Sequence, residues 1–182
     1  ILHGWSQGVA VVIQALMLAQ RQGVISRGWH LIGRLHAHER TFRDSRGQNE
    51  SWLTQRTGLG FGQFSRADAN SISNNDYLYV ALSTVTGLDY REYLNMWGIE
   101  LSTVALDSIA EHGYSLAPRV YYTAEANQAC SFWDAREVPI DGESLWIDLS
   151  LFDRLEVDLT EDFLSAPYES ESSSVYFITL DE

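Results

Sequence analysis

The stretch LSTVTGLDYREYLNMWGIELS, from Leu82 to Ser102, decides how this chain is read. Gly87 is placed to end one helix, and Asp89 to cap the next, with Glu92 three residues on completing a capping-box pattern. Tyr90, Tyr93, Leu94 and Trp97 then recur at three- and four-residue spacing, a broad apolar stripe that must be buried. Burying one such aromatic is worth roughly 1.5–3 kcal/mol, so the stripe predicts a packed helical core. Gly98 releases the chain through a left-handed cap, and Ser102 opens another short helix through Leu106 and Ile109, ending at Gly113. These residues are architecture rather than catalysis.

Working upstream, Asn75 or Asp76 is placed to cap a helix through Tyr77, Val80, Ala81 and Val85 up to Gly87. Ser6 to Arg21 is apolar nearly all round and stops at Gly23, which predicts a central helix. Its Val9–Ala19 run is similar to the apolar stretch of a secretory signal, but no basic segment precedes it and Gln14 interrupts it. A further helix is expected from Arg27 to Phe42, with Trp29, Ile32, Leu35 and Phe42 on one face. After a loop at Ser45, Gly47 and Asn49 comes a short helix, Glu50–Arg56. Gly58, Gly60 and Gly62 read as a flexible connector between helices.

Downstream of Pro118 the period changes from helical to alternating. Val120 and Tyr122 alternate with Tyr121 and Thr123, and Asp141-Gly142 is a turn pair between Glu137–Ile140 and Leu145–Leu149. Leu155, Val157 and Leu159 alternate with acids, and Val175, Phe177 and Thr179 suggest a last strand. The expected class is α+β: a helical bundle over 1–117, followed by a small antiparallel β module over 118–182 with an acidic outer face.

Composition sets the outer bounds. The 182 residues are 45% hydrophobic and 20% charged, enough for one ordinary core or a core plus a small satellite module. Net charge is −13, unevenly spread: residues 1–91 carry nine Arg against six acids, residues 92–182 three Arg against nineteen, and there is no Lys. Such acidity argues against nucleic acid as a partner, since phosphate binding needs a basic face. No apolar run is long enough for a membrane span. Cys130 is the only cysteine, which excludes an internal disulfide and a thiolate zinc site. Opening at Ile1, the chain is expected to be a portion of a longer polypeptide.

Candidate chemistry is sparse. His30, His36, His38 and Glu39 are the densest group of metal-type ligands, but His-Glu-x-x-His is absent. On a helix His36 and Glu39 share a face, while His36 and His38 diverge by about 200°. Packing side chains are therefore expected at His36, His38 and Glu39, with no catalytic residue and no metal in this chain. The glycine cluster lacks the Lys-Ser/Thr ending of a phosphate loop, and Ser6 is not in a nucleophile elbow. Asp148, Asp153, Glu156, Asp158, Glu161 and Asp162 could offer oxygens to calcium, though not in EF-hand order; a solvated sheet face fits them better. Trp133 and Trp146, with Tyr121, Tyr122 and Tyr168, could form a sugar-stacking platform, against the ordinary alternative of core aromatics.

The Leu82–Ser102 segment, followed by Leu116-Ala-Pro-Arg-Val-Tyr-Tyr122, resembles the region downstream of the zinc site in enhancin-like metallopeptidases, notably the secreted bacterial mucin-directed and immunomodulating proteases. The matching features are Ser83-x-x-x-Gly87-x-Asp89, the aromatic-rich helix, the Trp97-Gly98 stop and a Leu-Pro-like approach to strand; Trp5–Gln14 and Leu31–Phe42 fit helices beside that site. The resemblance spans about residues 1–125. It implies a secreted or cell-surface parent that holds zinc and acts on O-glycosylated proteins. Its zinc-binding subdomain would precede Ile1 and be the partner of this chain, and no family catalytic residue maps onto a position here. The alternative is a stand-alone carbohydrate- or protein-binding module.

Overall fold

The computed structural model describes residues 4–123 and 136–140. The chain divides into two units, Ile1–Tyr122 and Thr123–Glu182. The fold class is α+β, as the sequence predicts. In chain order the described elements are α1 (Gly4–Arg21), α2 (His30–Ser45), α3 (Asn49–Gln55), α4 (Arg66–Asn70), α5 (Asn74–Thr86), β1 (Leu88–Asp89), α6 (Arg91–Asn95), α7 (Thr103–Ala110), β2 (Ser115–Leu116), β3 (Val120–Thr123) and β4 (Arg136–Pro139). The stretch around Asp141-Gly142, the later alternating runs and the acidic cluster lie outside the described residues.

Helix α5 is the centre of the first unit, packed against α2 and α7. Tyr79, Val80, Ala81, Leu82 and Ser83 are all fully buried, so α5 has almost no solvent face. It starts differently from the sequence expectation. Ser73, not Asn75 or Asp76, is the cap, its hydroxyl accepting from the Asp76 N–H at 3.1 Å. Asp76 is engaged elsewhere: its Oδ1 accepts from the Ser102 N–H at 2.8 Å, and Ser102 in turn caps α7. One carboxylate thus ties the starts of two helices together.

The Asp89–Glu92 capping box does not form. Tyr90 occupies the cap position of α6 without a side-chain bond, and the carboxylate of Asp89 is spent on a buried network. Its Oδ1 accepts from the Tyr79 hydroxyl at 2.8 Å and the Arg91 N–H at 3.0 Å, and its Oδ2 meets the Arg91 guanidinium at 2.7 Å. Burial, then the neighbouring carboxylate, pushes the Tyr79 phenol well above its ordinary range. The backbone here pairs β1 with β2 in parallel, Leu88 with Ser115 and Asp89 with Leu116, a bridge within the helical part that alternation could not reveal in two residues.

The Tyr90, Tyr93 and Leu94 positions of the predicted stripe are fully buried, while Trp97 is half-buried. Gly98 has φ 71°, with its N–H bonded to Asn95 O and the Ile99 N–H to Leu94 O, the paired bonds of a left-handed helix stop. Gly23, Gly87 and Gly113 also have positive φ, so all four glycine stops stand where they were expected.

The glycine cluster joins α3 to α4, as expected of a connector between helices, but it is packed in. Gly60 and Phe61 are buried, and the segment is a fixed turn against α5 rather than a flexible connector. Gly60 has φ 82°, and a Cβ there would run into Thr84 and lie 2.9 Å from Val80 Cγ1. Phe61 then enters an aromatic core with Phe42 (4.7 Å between centroids), Phe64 (5.4 Å), Trp52 (6.0 Å) and Tyr77 (6.1 Å). Helix α4 follows, with a Ser65–Asp68 capping box absent from the expected elements. The Ser65 hydroxyl and N–H hold the Asp68 carboxylate below its usual range.

Helix α1 is only in part the central helix its composition predicts: its second half is buried, while Val9 in its first half is 44% exposed. Ala15, Leu16, Leu18 and Ala19 are fully buried, and Gln14 makes two bonds to the backbone of Tyr122: Nε2 donates to the carbonyl at 2.9 Å and Oε1 accepts from the N–H at 2.7 Å. The polar residue that interrupts the apolar run therefore acts as a pairing partner for β3. Tyr93 adds a bond from its hydroxyl to the Val11 carbonyl at 2.9 Å.

Candidate functional site

The four metal-type side chains of α2 do not converge. His36 and Glu39 meet on the solvent face, Nδ1 to Oε2 at 3.7 Å, both well exposed. His38 turns inward and is 7% exposed. Its Nε2 lies 3.0 Å from the Leu59 carbonyl, which can only accept, so Nε2 carries the proton. Nδ1 is then the lone pair receiving the Tyr77 hydroxyl at 3.2 Å. Both ring nitrogens are committed, which leaves His38 no lone pair for a metal. His30, at the start of α2, is exposed. Among the described residues no group of three or more His, Cys, Asp or Glu could hold a metal ion. The donor set among the described residues does not fit a hydrolytic zinc, which needs three converging ligands and an open position for water.

His38 has a consequence for stability. Burial lowers its pKa, opposed in part by the bond to Leu59. The folded chain therefore holds it neutral while the unfolded chain protonates it near its ordinary value. Stability should be flat above about pH 6.5 and decline as pH falls toward the depressed folded value, by at most about 1.4 kcal/mol per unit. Urea midpoints at pH 7.5, 6 and 5 check this, with His38→Gln expected to flatten the profile. A wild-type midpoint that stays constant across this range would contradict the buried neutral imidazole.

Trp133 and Trp146, the candidate sugar-stacking residues, lie outside the described residues. Tyr121 is half-buried against Trp97, 6.1 Å between ring centroids, and Tyr122 is buried, so these two act as packing residues.

A different surface feature forms at the start of α2. Trp29, expected on the packed face of α2, is 53% exposed. The helix begins at His30 rather than Arg27, and its buried side chains are Leu31, His38, Phe42 and Ser45. Trp29 instead joins Ile32 and the α1 residues Val9, Val12, Ile13 and Leu16 around an open groove of about 630 Å³. Val9 is 44% exposed. The signal was present in the all-round apolar character of α1, which gives it more than one face to bury.

The helical arrangement is similar to that of a segment within a much larger metallopeptidase. The IMPa metallopeptidase from Pseudomonas aeruginosa matches with TM-score 0.60 and 25% identity over 75% of this chain, and a second structure, IMPa metallopeptidase in complex with T-antigen, with TM-score 0.60 and 24% identity over 76%. The chain spans only 15–16% of the length of those structures. No family model and no curated protein matches the sequence. Among the described residues no helix is long and apolar enough to cross a membrane.

Proposed function

We propose that this chain is a non-catalytic C-terminal portion of a secreted zinc metallopeptidase acting on O-glycosylated proteins. Its helical domain, 1–117, buttresses the preceding zinc-binding subdomain, and the acidic β module, 118–182, faces solvent or substrate. The observation that carries the reading is the structural likeness to IMPa metallopeptidase over three-quarters of the chain. The geometry is consistent with a supporting role: α5, α6 and the aromatic core bury their side chains, and the polar networks at Asp76 and Asp89 link elements to one another. The zinc, and the chemistry it supplies to hydrolysis, would belong to the parent.

The reading predicts that the isolated 182-residue chain holds no stoichiometric zinc and does not hydrolyse mucin or casein. The parent polypeptide should hold one zinc and cleave. Metal analysis of both settles the matter: one tightly held zinc on the isolated chain would sink the assignment and return attention to the His36, His38 and Glu39 group. A zinc-free, inactive parent would retire the metallopeptidase reading in favour of a stand-alone binding module.

A further inference from the structure

We infer that the groove between α1 and the start of α2 seats an apolar helix of the same polypeptide, contributed from outside these 182 residues. The inference rests on the reading of the chain as part of a larger metallopeptidase, and it names the surface through which that support is given. Val9, Val12 and Ile13 stand at i, i+3 and i+4 of α1, with the fully buried Leu16 at i+7 forming the floor, the spacing of a seam that receives another helix. Trp29 and Ile32 close one side, so the groove is lined by apolar side chains from two helices. The other side of α1 is already occupied: Val11 and Gln14 are buried there and bonded to Tyr93 and Tyr122. A surface helix needs one apolar stripe, whereas α1 has two, which is the pattern of an inner helix in a larger bundle.

The occupant follows from length and charge. The similar region amounts to 15% of the IMPa chain, so such a unit sits within far more polypeptide than is described here. Residues 4–45 carry five Arg against Glu39 and Asp44, and of these exposed Arg27 stands two residues before Trp29. The incoming helix should therefore carry acidic residues beside its apolar stripe.

The test is oxidative footprinting of Trp29 in the 182-residue chain and in the parent polypeptide, with sedimentation of the former across concentration. Trp29 should be modified readily in the short chain, which stays monomeric, and about tenfold more slowly in the parent. Trp29→Asp should lower the thermal midpoint of the parent by several degrees more than that of the short chain. Equal modification of Trp29 in both proteins overturns the inference. So does a concentration-dependent dimer of the short chain that protects Trp29, because the occupant is then a second copy. Zinc content of the parent is read separately: a zinc-loaded parent with Trp29 exposed rejects the groove and keeps the function, and a zinc-free parent with Trp29 protected does the reverse.

Discussion

Phe61→Ala should destabilise the chain by about 3–5 kcal/mol, measured as a lowered urea midpoint. Phe61 is fully buried, and its ring meets those of Phe42, Phe64, Trp52 and Tyr77 within 4.7–6.1 Å. Truncation leaves a void walled by rigid aromatic planes and by α5, none of which can collapse cheaply into it. Since a domain of this size is stable by only about 5–15 kcal/mol, the variant should be at the edge of folding at room temperature. Phe61→Leu keeps most of the volume and should cost about 1.5 kcal/mol or less. A Phe61→Ala midpoint equal to wild type would mean that this cluster is not the core of the helical unit.

Gly60→Ala is expected to rank next, at about 3 kcal/mol or more, because two costs add. An L residue in the left-handed region costs about 1–2 kcal/mol, and the added methyl overlaps Thr84 and Val80 on α5 for a further 1–3 kcal/mol. Gly87 supplies the control: its φ is 72°, but a Cβ there meets nothing within 4 Å. Gly87→Ala should therefore show the conformational cost alone, about 1–2 kcal/mol. If the two variants unfold at the same denaturant concentration, the close approach of Gly60 to α5 is not real.

The contrast between these glycines also shows what the sequence could and could not convey. Helix stops at Gly23, Gly87, Gly98 and Gly113 were legible because each follows an apolar-periodic run and the reason for glycine is local. At Gly60 half the reason lies about twenty residues away, on the face of α5, and no local pattern encodes it. The caps divide in the same way. Ser102 and the start of α7 were readable, but at Asp76 and Asp89 the short acidic side chains that look like caps are drawn into longer-range bonds, to Ser102 and to Tyr79 with Arg91. Ser65-x-x-Asp68 was a plain capping-box signal that the surrounding glycines obscured.

For the site, the divergence of His36 from His38 followed from helix geometry alone, and the structure places them on opposite faces. The inward direction of His38 is set by the stripe Leu31, His38, Phe42 and Ser45, whereas the expected face joined Phe42 to Trp29 and Ile32, which lie on another side of the helix. Trp29, at the cap position before that helix, stands off this face and is exposed. The groove it lines is formed by two helices meeting at their sides, and a linear pattern reports each stripe without reporting which stripe remains uncovered.

Gln14 pairs with the backbone of Tyr122, 108 residues later, so α1 is synthesised well before the strand that its amide meets. At the usual 5–20 residues per second, about 5–20 s separate the synthesis of α1 from that of the strand that satisfies its amide. The Tyr93 hydroxyl reaches Val11 only a little earlier. For that interval one of the most apolar helices of the chain is held without its partners, a standing demand on whatever chaperone attends the nascent polypeptide. Gln14→Leu would leave the buried Tyr122 N–H and carbonyl without the Gln14 amide, at about 1–3 kcal/mol each, and make the waiting helix stickier, so the urea midpoint of the purified protein and the soluble yield in cells should both fall.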